Sequence, residues 1–94
     1  MALKPIKIKL DDDEWAVTPR RASMNQIIAI AEVDEMPEDV KQVIALRDAV
    51  DAITVKCEQN GEVRESGDMP PEVIEEFILK HPSFRRAVKQ EKAA

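Results

Sequence analysis

Tyrosine is absent from this sequence, tryptophan, histidine and cysteine occur once each, and its 94 residues hold only two glycines. Each scarcity excludes something. The lone Cys57 has no intramolecular partner, so a disulfide framework is ruled out and nothing points to an oxidising compartment. Gly61 and Gly67, six apart in a polar stretch, do not build a glycine-rich phosphate loop. No H-E-x-x-H, C-x-x-C or G-x-S-x-G pattern occurs, and Cys57 has no histidine or second cysteine at ligand spacing. With Trp15, Phe77 and Phe84 as the aromatics, the core has to be aliphatic. No apolar run approaches the roughly 20 residues that span a bilayer. The opening MALKPIKIKL alternates lysine with aliphatic residues and lacks the continuous apolar segment of a signal peptide. These absences predict a soluble, cytoplasmic protein with no cofactor, no metal centre and no catalytic residues.

What is present suits one small domain: 44% of the residues are apolar and the net charge is −5. That sign argues against nucleic acid and anionic membranes as partners, since both repel it. The charge is uneven. Residues 35–68 carry four bases and nine acids, whereas residues 69–94 carry five bases and four acids.

Along the chain, Ile6, Ile8 and Leu10 alternate with Lys7 and Lys9, and Trp15 and Val17 resume the alternation after an acidic run. This period of two predicts a β-hairpin over residues 5–18. A lone hairpin is marginal in water and must pack on the helices that follow. Thr18 and Pro19 offer an N-cap and a first helical residue for a helix over 19–33; Ser23 with Gln26 is a second, capping-box start. From Pro37, apolar residues at Val40, Val43, Ile44, Leu46, Val50, Ile53 and Cys57 keep helical spacing, predicting one long helix over 37–57 that stops at Asn60-Gly61. Residues 58–69 read as a loop, residues 71–81 as a helix ended by His81-Pro82, and residues 82–91 as a last helix. The expected fold class is therefore α+β, mostly helical, with a two-stranded hairpin on three to four helices.

The acidic run DDDEW at 11–15 fails the EF-hand pattern at its fifth, sixth and twelfth positions, where Trp15, Ala16 and Ala22 stand. It reads as a turn. Trp15 reads as a core anchor rather than a surface aromatic, Cys57 as a small buried hydrophobe, and His81 either as a cap on carbonyls at a helix end or as a residue with no role. The pairs Arg20-Arg21 and Arg85-Arg86 read as solvated, or as docking points for an acidic protein surface.

The stretch IKIKLDDDEWAVTP, followed at once by a proline-led helix and further helices in a small acidic chain, resembles the small tail assembly chaperones of long-tailed bacteriophages and prophages. The likeness is one of layout and runs from Ile6 to Val33, about a third of the chain. It implies a non-catalytic protein of the bacterial host's cytoplasm that coats the helical tape measure protein and helps tail tube subunits assemble around it. Many such chaperones are also made in a longer, frameshifted form. A chaperone needs apolar surface to offer. The expected client or self-association surface is the exposed part of Ile74, Phe77, Ile78, Phe84 and Val88, flanked by Arg85 and Arg86. The alternative is a small acidic regulator that presents residues 34–68 to a basic protein partner.

Overall fold

A computed structural model describes residues 3–84. The fold is α+β: a four-stranded antiparallel sheet in the order β1-β2-β3-β4, backed by helices. Strands β1 (Ile6–Leu10) and β2 (Asp13–Pro19) form the first hairpin, turning through Asp11 and Asp12. The register Ile6↔Val17 and Ile8↔Trp15 puts these four side chains on the core face, while Lys7, Lys9 and Glu14 stay exposed on the other. Asp11 takes a φ of 53°, in the left-handed region that a short polar side chain tolerates. The acidic run is a turn and the start of a strand.

Helix α1 (Met24–Glu35) begins at the capping box, not at Pro19. Ser23 Oγ accepts from Gln26 N at 3.2 Å, and Gln26 Oε1 accepts from Ser23 N at 2.8 Å. The earlier start expected at Thr18-Pro19 is lost because both residues belong to β2, paired with Lys56 and Thr54 of the third strand. Strand pairing with residues 35 and 38 positions away outweighs a local N-cap.

The largest correction concerns the long helix expected over 37–57. Helix α2 (Val40–Ala52) starts at an Asp39 cap and stops five residues sooner, and β3 (Thr54–Gln59) follows. Thr54 Oγ1 donates to Val50 O at 2.7 Å, taking up a carbonyl of the last turn, and Ile53 already leaves helical geometry. The expected loop over 58–69 is also ordered structure. Gln59↔Glu62 closes a two-residue turn at Asn60 (φ 52°) and Gly61 (φ 85°), and β4 (Glu62–Arg64) runs back beside β3. Asn-Gly supplies the two positive φ angles that a type I′ hairpin needs. A single 3-10 turn, Ser66–Asp68, completes the segment.

Asn60 also joins the two hairpins. Its Nδ2 donates to Asp13 Oδ1 at 2.9 Å, its Oδ1 accepts from Glu14 N at 2.9 Å, and its own N–H donates to Glu14 O at 2.7 Å. Helix α3 (Pro71–Lys80) packs against β1 and buries Val73, Ile74 and Phe77. Residues 82–84 make a further helical turn; the rest of the helix expected over 82–91 lies outside the described residues. The core gathers Trp15, Val17, Val50, Ile53, Val73 and Phe77 between sheet and helices. Trp15 is the hairpin's core anchor, although its indole N–H finds no acceptor among the described residues. No helix among the described residues is long and apolar enough to cross a membrane.

Candidate partner-binding surface

Of the seven side chains expected to meet a partner, four belong to described residues, and three of these fall inside the protein. Ile74, Phe77 and Phe84 are buried, and Ile78 is partly buried against the same core. The reason is that α3 lies on β1, a strand of the first hairpin, and is consumed in covering it. Val88, Arg85 and Arg86 lie outside the described residues.

His81 anchors that corner. It is fully buried, and its ring meets those of Phe77 and Phe84 in near-perpendicular, T-shaped contacts with centroids 5.5 Å and 5.3 Å away. Nδ1 accepts from Ser83 N at 3.2 Å, which leaves the proton on Nε2 to be donated to Arg20 O at 2.9 Å. Ser83 Oγ in turn accepts from Ala22 N at 3.2 Å. Burial holds the His81 pKa below the ordinary histidine value of 6.5, partly opposed by the carbonyls of Arg20 and Ile53. The histidine ties the β2–α1 connection to the end of α3 and is a structural group.

Eight large apolar side chains among the described residues are exposed, between 43% and 74%: Met24 and Ile28 on α1, Val40, Val43 and Ile44 on α2, Val55 on β3, Val63 on β4 and Leu79 on α3. On α1 the buried residues are Ile30 and Val33, whereas Met24, Ile28 and Ala31 follow one another at i, i+4 and i+7 on the opposite face. On α2, Val40, Ile44 and Arg47 repeat that spacing outward; Val43 stands on the same stripe as Val50, exposed near the start of the helix where Val50 is buried near its end. The two helices are held together where one ends and the next begins. Gln42 Nε2 donates to Val33 O at 3.0 Å and Met36 O at 3.4 Å, satisfying carbonyls at the end of α1. Around this junction Glu32, Asp34, Glu35 and Glu38 are exposed and make no ion pair with any described residue.

An open cleft of about 500 Å³ lies between α2, the β3–β4 hairpin and the 3-10 turn. Arg47, Lys56 and Arg64 line it together with Asp48, Asp51 and Glu65, so neither sign of charge prevails. The bases are occupied locally: Arg47 pairs with Asp48, Lys56 with Glu58 and Arg64 with Glu62. Cys57 also lines the cleft but is buried; burial first, then the charges of Asp68 and Glu58, push its thiol up to about 11. A thiol so rarely ionised is a poor nucleophile. Among the described residues, no three His, Cys, Asp or Glu side chains converge to hold a metal ion.

On α1 and α2 apolar residues spread over more of each helix than one core-facing stripe occupies. No protein-family model, curated protein or solved structure matches the chain.

Proposed function

We propose that the chain is a non-catalytic binding protein of the bacterial cytoplasm, a tail assembly chaperone of the long-tailed phage type, whose client is the tape measure protein or the tail tube subunit. The observation that carries the reading is the outward apolar face of α1 and α2. Five of the eight exposed large apolar side chains among the described residues stand on these two helices. The layout of a β-hairpin with an aromatic in its second strand, followed by helices, supports the same reading. A helical client would rest on this face as a helix in a groove.

The test is a calorimetric titration of the chain with overlapping peptides of a phage tape measure protein. It is run at about 0.1 M and about 1 M salt, where the screening length falls from about 10 Å to about 3 Å. The proposal expects one or more peptides to bind at both salt concentrations. No binding by any peptide to the folded chain would refute it. The exposed acids at the α1–α2 junction favour the second reading, an acidic regulator of a basic protein; its signature is binding at low salt that disappears at high salt.

A further inference from the structure

We propose that Asn60-Gly61 is a deamidation site which the fold holds shut, and that reaction there uncouples the two hairpins. An asparagine followed by glycine is the pair most open to attack on the side-chain amide by the next backbone nitrogen, because glycine has no Cβ to shield it. Gly61 sits at the tip of the β3–β4 turn, where even an added Cβ would meet nothing within 4 Å. Its N–H makes no hydrogen bond with any described residue. The amide beside it is restrained. Asn60 Nδ2 donates to Asp13 Oδ1 and Asn60 Oδ1 accepts from Glu14 N, each at 2.9 Å, so the group is held on β2. Ring closure onto Gly61 has to rotate both the Asn60 side chain and its ψ angle, and the hydrogen-bonded turn opposes each.

The reaction uses only water and hydroxide. Hydroxide removes the Gly61 amide proton and the nitrogen bonds to Asn60 Cγ; the Cγ–Nδ2 bond then breaks, and its nitrogen takes a proton from water to leave as ammonia. Water opens the cyclic imide at either carbonyl, giving aspartate or isoaspartate at position 60, and nothing is oxidised or reduced. Either product removes the side-chain donor to Asp13. In its place a carboxylate oxygen faces a carboxylate at hydrogen-bond distance, an arrangement that repels. Isoaspartate also adds a methylene to the main chain, inside a turn that Gln59↔Glu62 closes over two residues. The backbone is no obstacle to aspartate, since Asp11 already holds a φ of 53° in the first turn, beside 52° at Asn60. The cost therefore falls on the contact between the hairpins.

The test ages the full chain at pH 8 with and without urea, and mass spectrometry of its peptides follows the exchange of NH2 for OH. Asn25, in α1 and followed by glutamine, is the internal control. Conversion is expected at Asn60 and not at Asn25, and at least about tenfold slower in the folded chain, or about 1.4 kcal/mol of barrier. Asp13→Ala, which removes the acceptor, should speed the folded-state reaction without changing the rate in urea. Asn60→Asp, which makes one product directly, should lower the thermal midpoint by at least about 4 °C. Adding Asp13→Asn to that chain should restore most of the loss by placing a donor opposite the new carboxylate. Equal rates with and without urea, or no acceleration in Asp13→Ala, would overturn the restraint. An unchanged midpoint in Asn60→Asp, or a loss that Asp13→Asn does not relieve, would overturn the uncoupling. No conversion at Asn60 even in urea would remove the site altogether.

Discussion

Replacing His81 with alanine is the sharpest probe of the fold's closure. The ring is fully buried, donates to Arg20 O at 2.9 Å, accepts from Ser83 N at 3.2 Å, and fills the space between Phe77 and Phe84. Two lost hydrogen bonds, a carbonyl orphaned in the interior and a ring-sized void together cost about 3–5 kcal/mol. That is a large share of the roughly 5–15 kcal/mol that holds a small domain together. Urea denaturation read by Trp15 fluorescence measures it, since Trp15 is the one tryptophan and is buried. The pH dependence supplies a second, independent reading. Because the folded-state pKa lies below the unfolded value of 6.5, the unfolded chain binds more protons in the interval between them. Stability is therefore complete above pH 6.5 and declines as the pH falls through 6.5 towards the lowered folded-state value. His81 is the sole histidine, so from pH 7.5 to 5.5 most of this slope belongs to it and should disappear in His81→Gln. A loss below about 1 kcal/mol in His81→Ala, or the same slope with and without the histidine, would refute the account of this corner.

Phe77→Ala should cost about 3–5 kcal/mol, whereas Val43→Ser should change stability by no more than about 0.5 kcal/mol; thermal denaturation distinguishes a core residue from a surface one. Truncation after residue 80 removes His81 and Phe84 from the interior, so the shortened chain should show a broadened, lowered melting transition rather than an intact fold. Gly61→Ala meets no neighbouring atom but must hold a φ of 85°, and should cost about 1–2 kcal/mol, while Asp11→Gly should stabilise the first turn slightly. Cys57 should resist alkylation at pH 8 until denaturant is added. With its pKa raised from 9.0 to about 11, stability from this group is fully present below pH 9 and is lost as pH rises from there towards 11, which urea melts across that range would show.

The parts legible in the sequence were those whose determinants are local. Alternation marked β1 and β2, and the His81-Pro82 stop marked the end of α3. The second hairpin was hidden by a coincidence of period. Val50, Ile53 and Cys57 continue the helical spacing of Val40 and Val43, yet Thr54 and Val55 are β-branched and Asn60-Gly61 is a hairpin turn rather than a helix stop. What decides between them is pairing with β2 through Val17↔Cys57 and Trp15↔Gln59, a contact between residues about forty positions apart that no local window contains. Phe77 and Ile74 are covered because α3 lies on β1, a contact between residues about sixty positions or more apart that no local window contains. Ser23 and Gln26 carried the true start of α1 in plain view, and strand pairing of Pro19 is what made it the only start available.

The central claim, that the outward face of α1 and α2 is where a partner lands, is tested most directly by amide chemical-shift mapping as a helical tape measure peptide is titrated in. The account predicts shifts at Met24, Ile28, Val40, Val43 and Ile44, with Val73, Ile74 and Phe77 unmoved. Shifts centred on α3, or saturation of the peptide with the α1–α2 amides unchanged, would contradict it.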